Sequence, residues 1–325
     1  MAAVEVKNLT KIYSVQKKQP GFFSGLKSLF KRQYQNVIAV DDVSFSIEEG
    51  ELVGFIGPNG AGKTTTLKIL SGLLYPTSGS ASVLGFIPWE RKAQFQKQFA
   101  FVAGQKNQLW WDLPALETFY LNKEIYEVTD EDFKKRTDYL SNLLQIKDLL
   151  DRPVKKLSLG QRMKAELIAA LIHQPKVLYL DEPTIGLDVV AQNNMHEFIK
   201  DYNQNFGATI ILTSHYMADV EKLCERVIII NKGQILYDGH FAKITSKFAK
   251  NKIIKLDFEK EVDKEKLAAF GKILEYSPHQ STIEIERVKA AQTTSEILEN
   301  FPVVDLSIEE PPIEDVIRQI FTKNK

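Results

Sequence analysis

The sequence predicts an α/β fold, in which helices flank a sheet, and three observations support this expectation. Several runs of β-branched and other apolar residues have the length and pattern of strands. Segments with helical spacing separate several of these runs, and a glycine-rich turn follows one of them. Because strands that alternate with helices favour a largely parallel, covered sheet, this order indicates the fold class. The predicted strands are VEVKNLTKIY, VIAVDDVSFSI, ELVGFIG, KVLYLDE, TIILTSH and RVIIINKGQI.

Two regions of the chain depart from this pattern. Between about residues 90 and 175 the strand signal fades, and DEDFKKRTDYLSNLLQIKDLL carries apolar residues at helical spacing behind an aspartate suited to a helix cap. We therefore expect a helical subdomain there. After residue 240 short strands with period-2 alternation mix with short helices, which predicts a separate α+β unit. The expected domains are residues 1–240 and 241–325.

Composition and charge exclude several classes of function. The 325 residues include 42 Lys and Arg and 42 Asp and Glu, so no global positive field attracts nucleic acid or anionic membrane. Cys224 is the only cysteine, which excludes an internal disulfide and a multi-cysteine metal site and fits a reducing compartment. The longest apolar stretches fall far short of the roughly 20 residues that span a bilayer. We expect a cytoplasmic protein that binds no nucleic acid and does not itself cross the membrane.

A phosphate-binding loop is predicted between the strand LVGFI and the helical segment TTLKIL. Residues 57–64, GPNGAGKT, match the pattern GxxxxGK[ST] in this strand-loop-helix context. Glycines let the loop curl so that backbone N–H groups point inward, and the following helix N-terminus adds partial positive charge. Lys63 is expected to reach the β- and γ-phosphates of a nucleotide, and the Thr64 hydroxyl to bind Mg²⁺. A glycine-rich turn with a solvated lysine is the alternative interpretation.

Two carboxylates follow a buried strand further along the chain. VLYLDEP places four apolar residues before Asp181 and Glu182, at the C-terminal end of a predicted strand, where α/β sheets bind their ligands. Asp181 suits Mg²⁺ through its water shell, and Glu182 suits a base or orienting group for an attacking water. Taken alone, the pair is also compatible with a solvated strand end.

A third motif, LSLGQ at residues 157–161, begins a long amphipathic segment and predicts a helix N-terminus that accepts anions. With it, six motifs occur in the order and spacing of one family: GPNGAGKT, a glutamine at Gln105, LSLGQ, VLYLDEP, GLD and the SH pair at 214–215. Over about residues 4–240 the chain resembles the ATP-binding subunits of ABC transporters. This resemblance implies a P-loop NTPase core with a mixed sheet, an antiparallel β subdomain and a helical subdomain. It also implies that the chain binds and hydrolyses ATP with Mg²⁺.

The resemblance further implies a site shared between two copies of the chain, arranged head to tail. The residues implied for catalysis are Glu182, His215 and Gln105, and those implied for the metal are Thr64, Gln105 and Asp181. The residues implied for nucleotide binding are Tyr13, Gly57, Asn59, Gly60, Gly62, Lys63, Thr64, Thr65, Ser158, Gly160, Gln161 and Asp188. Of these, Ser158, Gly160 and Gln161 would come from the opposite copy. Asp188 would cross the interface between the two copies and couple the two ATP sites.

Two of these assignments have competing interpretations, and one residue departs from the family pattern. Gln108 competes with Gln105, although the distance to the following DLP favours Gln105. Tyr13 is expected to stack on adenine, but an aromatic residue at a strand end is commonly part of the core. Leu159 stands where the family commonly has glycine, which leaves the rate of hydrolysis open while Gly160 is retained.

An integral membrane permease on a separate chain is the second expected partner, because a subunit without spanning helices needs one to move a cargo. Residues 105–119 occupy the position at which family members contact the permease. Aromatic side chains are enriched at the centres of interfaces. A core role for one of the two tryptophans remains open. The expected anchors are Trp110, Trp111, Leu109 and Leu113.

Export is the direction of transport that a narrower resemblance favours. GQKNQLWWDLP and an insertion at residues 16–36 resemble a bacterial group of exporter ATPases with permeases of the ABC-2 type. The insertion carries apolar residues on one helical face, which suits a membrane surface, the permease or a helix packed on the ATPase core.

Two alternatives to this function stay open. The chain could be a soluble ABC-type ATPase that acts without a permease in translation or repair, although such proteins usually carry two cassettes, coiled-coil insertions or zinc cysteines, and its zero net charge argues against nucleic acid. The unit at 241–325, which we expect to be an accessory or regulatory domain, could instead bind the cargo.

Overall fold

The computed structural model describes residues 2–16, 34–104, 108–214 and 216–323. The chain divides into two compact units, Met1–Gly239 and His240–Lys325. The insertion predicted at residues 16–36 lies almost entirely outside the described residues, so its helix stays a prediction.

The strands of the first unit form two sheets. Within the described ranges, its strands are β1 (Ala2–Gln16), β2 (Tyr34–Glu48), β3 (Leu52–Ile56), β4 (Ser78–Val83), β5 (Phe99–Ala103), β6 (Val177–Asp181), β7 (Thr209–Ser214), β8 (Arg226–Asn231) and β9 (Gln234–His240). The larger sheet has the order β5-β6-β7-β3-β8-β9, and its neighbours from β5 to β8 run parallel. Lys232 and Gly233, with φ of 48° and 82°, form a two-residue turn from β8 to β9, and strands joined so tightly run antiparallel. The sheet is therefore mixed, as predicted.

The central strands of this sheet are buried along almost their whole length, with apolar residues in their middle. Every residue of β7 and four of the five residues of β6 are buried. Parallel strands that are covered on both faces appear in a sequence as continuous apolar runs, because neither face meets water. This burial explains why the sequence pattern identified both strands.

Helices accompany these strands in chain order. The described ranges of the first unit contain α1 (Lys63–Leu70), α2 (Ala93–Gln96), α3 (Ala115–Ile125), α4 (Asp130–Leu143), α5 (Leu159–Leu171), α6 (Val189–Phe206) and α7 (Met217–Leu223). Helices α3 and α4 both pack against α5, which forms the predicted helical subdomain. Thr129, rather than the expected aspartate, caps α4, because its hydroxyl accepts from the Asp132 amide at 3.2 Å. Among the residues that the structure describes, no helix combines the length and the apolar character that a bilayer span requires.

A smaller antiparallel sheet, with the order β2-β1-β4, packs against the first. Strand β1 pairs with β2 along most of its length and with β4 on its other edge. The Phe45 ring of β2 lies 5.8 Å from the Phe55 ring of β3, so the two sheets share one apolar core. The antiparallel β subdomain that the family resemblance implies is therefore present.

Two strands of this unit escape the sequence pattern. The expectation that strands fade between about 90 and 175 is wrong for Phe99–Ala103, which pairs with β6 at the edge of the large sheet. This run, FAFVA, is too short for its period to distinguish a strand from a helix. Ser78–Val83 reads SGSASV, and glycine and serine are poor strand formers, so pairing with β1 rather than propensity makes it a strand.

The second unit has the α+β character that the sequence predicts. Its elements are α8 (Lys243–Phe248), β10 (Asn251–Phe258), α9 (Lys264–Ala268), β11 (Lys272–Ser277), β12 (Gln280–Glu286), α10 (Ala290–Asn300), β13 (Val303–Glu309) and α11 (Ile313–Lys323). The antiparallel sheet has the order β11-β12-β10-β13, and β10 to β13 follow the β-α-β-β-α-β pattern of ferredoxin-like folds. Alternation along β10 buries Ile254, Leu256 and Phe258 in an apolar cluster, while Lys255 and Asp257 are exposed.

Cys224, the only cysteine of the chain, lies inside the first unit. It is 3% exposed, just after α7, and its Sγ would lie 3.5 Å from a Cβ placed on Gly54 of β3. Burial raises the pKa of the Cys224 thiol far above its usual range, because the thiolate has no water around it. The thiol is therefore a packing group.

Arg226 joins both sheets of the first unit. Its Nε and Nη2 donate to the two carboxylate oxygens of Asp238 at 2.8 and 2.9 Å, and Nη1 donates to Glu51 at 3.0 Å. Nη2 also donates to the Ser46 carbonyl oxygen, at the end of β2. Bidentate pairing of this kind fixes both geometry and charge, and the hydrogen bonds that Arg226 donates to Asp238 raise its pKa further above the usual range.

Replacing Arg226 by glutamine should therefore lower the free energy of unfolding of this unit by roughly 1–3 kcal/mol, since several charge-assisted hydrogen bonds are lost. Chemical denaturation followed by circular dichroism measures this change. Lys147→Gln is the matched control, because the exposed pair of Lys147 with Asp138 contributes little. Equal destabilisation by both variants would contradict a special role for Arg226.

Candidate functional site

The predicted phosphate loop connects β3 to α1 at the C-terminal end of a central strand. Two of its glycines are required by close approach of neighbouring backbone. A Cβ on Gly57 would lie 2.2 Å from the carbonyl oxygen of Ile230. A Cβ on Gly62, whose φ is 111°, would lie 2.4 Å from the carbonyl oxygen of Ala39. The loop therefore keeps its curled shape only with glycine at these positions.

The tip of the loop faces open space. Asn59 and Gly60 are exposed, and nothing lies within 4 Å of the Cβ position of Gly60, whose φ is 80°. Helix α1 begins at Lys63, and its N-cap residue, Gly62, has no side chain that could accept from the first N–H groups. Half-buried Thr64 and Thr65 follow in the first turn. An uncapped helix N-terminus beside an open loop can accept an anion.

Lys63 lies inside the loop that precedes it. Its side chain is buried, and its ammonium donates to the carbonyl oxygens of Gly57 at 2.6 Å and Pro58 at 3.2 Å. Burial lowers the pKa of Lys63, while the nearby carboxylates of Glu182 and Asp181 oppose this by favouring the charged form. The loop therefore encloses a positive charge next to two carboxylates.

Asp181 connects the loop to two neighbouring strands. The Thr64 hydroxyl donates to its Oδ2 at 2.9 Å, and the Thr213 hydroxyl of β7 donates to its Oδ1 at 2.7 Å. The strand order β6-β7-β3 makes this possible, since the carboxyl ends of adjacent parallel strands meet at one edge. The predicted loop and the predicted acidic strand therefore form one site.

Glu182 holds an uncommon backbone conformation directly after β6. Its φ is 56°, in the left-handed region that costs a non-glycine residue roughly 1–3 kcal/mol. Its amide donates to the Thr213 carbonyl oxygen at 3.1 Å and to the Thr213 hydroxyl at 3.0 Å. Across the chain, a Cβ on Gly104 would lie 2.2 Å from the Glu182 carbonyl oxygen. Such strain persists only where the surroundings enforce it, and it is concentrated at functional sites.

The LSLGQ motif forms the N-terminus of α5. The Ser158 hydroxyl accepts from the Gln161 amide at 3.2 Å, and the Gln161 side chain accepts from the Ser158 amide at 3.0 Å, which is a capping box. Ser158 is exposed. Within the described ranges, no hydrogen bond joins this cap to the phosphate loop of the same chain. The structure therefore does not bring Ser158, Gly160 and Gln161 together with Lys63.

The GLD segment packs against the LSLGQ motif. Asp188 caps α6, because its Oδ1 accepts from the Ala191 amide at 2.8 Å. A Cβ on Gly186 would lie 2.8 Å from Cδ2 of Leu159, and one on Gly160 would lie 3.4 Å from the Cβ of Ala191. Leu159, where the family commonly has glycine, therefore covers Gly186.

The remaining predicted site residues are Gln105, His215 and Tyr13. Gln105 and His215 lie outside the described residues. Gln108, the competitor of Gln105, donates from its side chain to the Phe101 carbonyl oxygen at 3.0 Å. Tyr13 is half-buried in β1, with the Lys11 ammonium 5.3 Å from its ring centroid. The roles of Gln105, His215 and Tyr13 stay predictions.

Sequence reasoning missed two residues that shape the site. Thr213 contacts both Asp181 and Glu182, and only its place in ILTSH hints at this role. Glu166 is a buried carboxylate of α5 whose Oε1 accepts from the Gln108 amide at 3.3 Å. A charged residue on the apolar face of AELIAALI is the signal that could have found it.

The chain is similar to proteins of one family. The family model described as ABC transporter matches residues 40–185. The ABC transporter ATP-binding protein NatA of Bacillus subtilis (strain 168) is 36% identical over 210 residues, which are 65% of this chain and 85% of NatA. This chain belongs to the ABC transporter ATP-binding proteins. Membership confirms the predicted function, because it makes the chain an ATP-binding and ATP-hydrolysing subunit of a transporter.

Further relatives and structures extend the likeness to other ABC ATP-binding proteins. The linearmycin resistance ATP-binding protein LnrL of Bacillus subtilis (strain 168) is 34% identical over 226 residues, 70% of this chain and 72% of LnrL. Nod factor export ATP-binding protein I of Burkholderia pseudomallei (strain K96243) is 35% identical over 209 residues, 64% of this chain and 68% of that protein. A solved ATP-binding subunit of an ABC transporter has a TM-score of 0.63 and 26% identity over 76% of this chain and 93% of its own.

The second unit also matches a family model. Residues 250–309 match the model described as EvrA-like ABC transporter, C-terminal domain. The matched segment contains all four strands of the ferredoxin-like sheet.

Burial raises the pKa of Glu166 to about 7, well above its ordinary value of 4.5. Between about pH 4.5 and 7, the folded protein therefore holds a proton on Glu166 that the unfolded chain has lost. The free energy of unfolding falls as the pH rises through this range. Glu166→Gln should remove this loss and unfold with a free energy roughly 1–2 kcal/mol higher than the wild type at pH 8, allowing for partial screening by water, but not at pH 4.5. Urea denaturation at both pH values measures the difference, and a gap that does not depend on pH would contradict the assignment.

Proposed function

We propose that this ABC subunit works as a head-to-tail pair of copies that encloses ATP and Mg²⁺ and drives a separate integral membrane permease. The observation that carries the proposal is the division of the site. Lys63, Thr64 and the carboxylates of Asp181 and Glu182 are assembled within one chain, whereas, among the described residues, the side-chain hydrogen bonds of the exposed Ser158 cap stay within the first turn of α5. A second copy would supply the missing half. Exposed Val189 and Val190, 71% and 70% accessible beside Asp188, support an interface at that point.

Binding of the triphosphate depends on the loop and the start of α1. Backbone N–H groups of the loop and the uncapped helix N-terminus would hold the phosphates, with the hydroxyl of Thr65 in the same turn. Lys63 would exchange the loop carbonyl oxygens for phosphate oxygens. The buried charge of Lys63 then gains phosphate oxygens of opposite charge, and this attraction offsets part of the free-energy cost of its desolvation.

The residues present fit Mg²⁺. The Thr64 hydroxyl and the Asp181 carboxylate are oxygen donors 2.9 Å apart, and oxygen donors are what this ion prefers. Mg²⁺ bound there would neutralise part of the phosphate charge. The hydroxyl of Thr213 holds the Asp181 carboxylate in place for this role.

Hydrolysis is assigned to Glu182, which would accept the proton of the attacking water or orient it. The restraint of its backbone by Thr213 supports this assignment, because a strained, enforced conformation suits a group that has to be placed accurately. Gln105 and His215, which lie outside the described residues, are proposed to contact the water and the γ-phosphate.

A surface on the helical subdomain is proposed to contact the permease. Trp110 and Trp111 are 50% and 49% exposed, and Leu113 is 40% exposed, so neither tryptophan is a core residue. Leu109, expected as a further anchor, is 4% exposed and packs inside, which corrects that prediction. The guanidinium of Arg162, on α5, lies 5.4 Å from the ring of Trp111. Movement of α5 can therefore be transmitted to this surface.

Export by an ABC-2 type permease, with the subunit at the cytoplasmic face of the cell membrane, is the proposed setting. Two of the relatives are named for linearmycin resistance and for Nod factor export, and these names support the outward direction. The unit that follows residue 239 is proposed to regulate or support the pair.

Glu182→Gln should bind ATP, lower the rate of hydrolysis at least about 100-fold and accumulate as a closed dimer, because an amide cannot take the proton of water. Size-exclusion chromatography with light scattering, with and without ATP and Mg²⁺, measures the dimer. Glu90→Gln, an exposed carboxylate paired with Lys92, is the control. Normal turnover by Glu182→Gln would show that the wrong carboxylate is assigned.

Mixing two variants that are inactive alone tests whether the ATP site is shared between two copies. Lys63→Ala and Ser158→Arg should each be inactive alone, since each damages both sites of its own pair. A mixture forms pairs with one intact site, so hydrolysis should reappear. If Ser158→Arg hydrolyses ATP at the wild-type rate at all protein concentrations, the proposal of a site shared between two copies is contradicted.

Replacing both Trp110 and Trp111 by alanine should leave hydrolysis by the isolated subunit within about two-fold and reduce co-purification of the permease at least about ten-fold, since aromatic anchors dominate interfaces. Tyr75→Ala, with an aromatic ring that is 55% exposed elsewhere on the unit, is the matched control. Unchanged co-purification of the double variant from detergent-solubilised membranes would exclude this surface.

A further inference from the structure

A buried carboxylate outside the nucleotide loop connects three elements of the site. Asp219, on α7, is 4% exposed. Its Oδ2 accepts from the hydroxyl of Thr184 at 2.6 Å and from that of Ser214 at 3.2 Å. Its Oδ1 lies 2.9 Å from Nε2 of His196. All three partners are buried, so water does not compete for these contacts.

Each partner of Asp219 belongs to a segment that carries a proposed site residue. Thr184 follows Glu182 by two positions. Ser214 ends β7, and its Oγ accepts from the amide of Tyr216 at 2.9 Å, on the far side of position 215. His196 lies on α6, the helix that Asp188 caps. One carboxylate therefore fixes the turn after β6, the end of β7 and the helix that follows GLD.

The backbone of Glu182 needs restraint on both of its sides. On the N-terminal side, its amide is held by the carbonyl and hydroxyl oxygens of Thr213. On the C-terminal side, the Ile185 amide donates to the Glu182 carbonyl oxygen at 3.3 Å, and the link from Thr184 to Asp219 anchors the turn between them. A residue other than glycine is strained in the left-handed region, so its backbone relaxes towards a commoner conformation when one restraint is removed.

We propose that Asp219 is a positioning residue for hydrolysis, which holds Glu182 in its left-handed conformation through Thr184. The inference rests on the proposed function, because it takes Glu182 as the group that acts on water. Loss of the link should slow the chemical step, since misplacement of a base costs rate steeply. ATP binding should persist, because it depends on the loop at 57–64, which Asp219 does not contact within the described residues.

Three variants test this proposal on the full chain. Thr184→Val keeps the shape and removes the hydroxyl, Thr184→Ser keeps the hydroxyl, and Asp219→Asn removes the charge. Thr184→Val and Asp219→Asn should each lower kcat about ten-fold, equivalent to about 1.4 kcal/mol in the activation barrier, with KM for ATP within about two-fold. Thr184→Ser should rescue most of the rate. Where Asp219→Asn folds poorly, the comparison between valine and serine at position 184 decides.

A merely structural contact gives a different result. It would lower the melting temperature and the folded fraction, while kcat per folded molecule stayed at the wild-type value for every variant, and that outcome overturns the proposal. The double variant Asp219→Asn/Thr184→Val should be slower than either single variant by much less than the product of their two effects, because both changes act on the contact between Thr184 and Asp219. A loss of about 100-fold in the double variant would indicate independent effects and also overturn it.

Glu182→Gln, measured in parallel, separates this inference from the proposed function. If Glu182→Gln turns over normally, the assignment of the base fails whatever Asp219 does. If Glu182→Gln is inactive and the Thr184 and Asp219 variants keep wild-type kcat, only the positioning role of Asp219 fails.

Discussion

The carboxylate of Asp181 is the point on which the rest of the site depends. Two threonine hydroxyls donate to it, one from the helix after the phosphate loop and one from the neighbouring strand. These two short contacts join β6, β7 and the segment after β3 at one edge of the sheet. The loop, the buried lysine and the strained Glu182 are all placed relative to this carboxylate. Loosening it would separate the positive and the negative halves of the site.

One chain brings the phosphate loop and the two carboxylates together, but it leaves the LSLGQ cap on its surface. Its lysine is buried against the carbonyl oxygens of the loop, and Thr64 in the next turn contacts the half-buried Asp181, so one chain holds these groups together. The LSLGQ cap is exposed and satisfied by its own capping box. Because Leu159 covers Gly186, that cap and the GLD segment of one chain form a continuous surface. A surface of this kind suits recognition by a partner better than catalysis within one chain.

Much of this arrangement could be predicted from local sequence. The phosphate loop is recognisable because close backbone approach requires glycine at Gly57 and Gly62, and the acidic pair because an apolar strand delivers it. The contacts of Thr213 with Asp181 and of Asp219 with Thr184 could not be predicted, because they join residues more than 30 positions apart in the chain. The link between Thr64 and Asp181 spans 117 positions and arises from strand order, which no local pattern reveals. Short strands such as Phe99–Ala103 likewise depend on their neighbours for pairing.

The single thiol has a practical consequence for anyone who studies this ATPase. Cys224 is buried within the first unit, where the thiolate is strongly disfavoured, so maleimides and other thiol reagents have no accessible native target in the described part of the chain. New cysteines can therefore be introduced at exposed positions on the wild-type background. Fluorophores or spin labels attached there would report distances between protomers without interference from the natural sulfur.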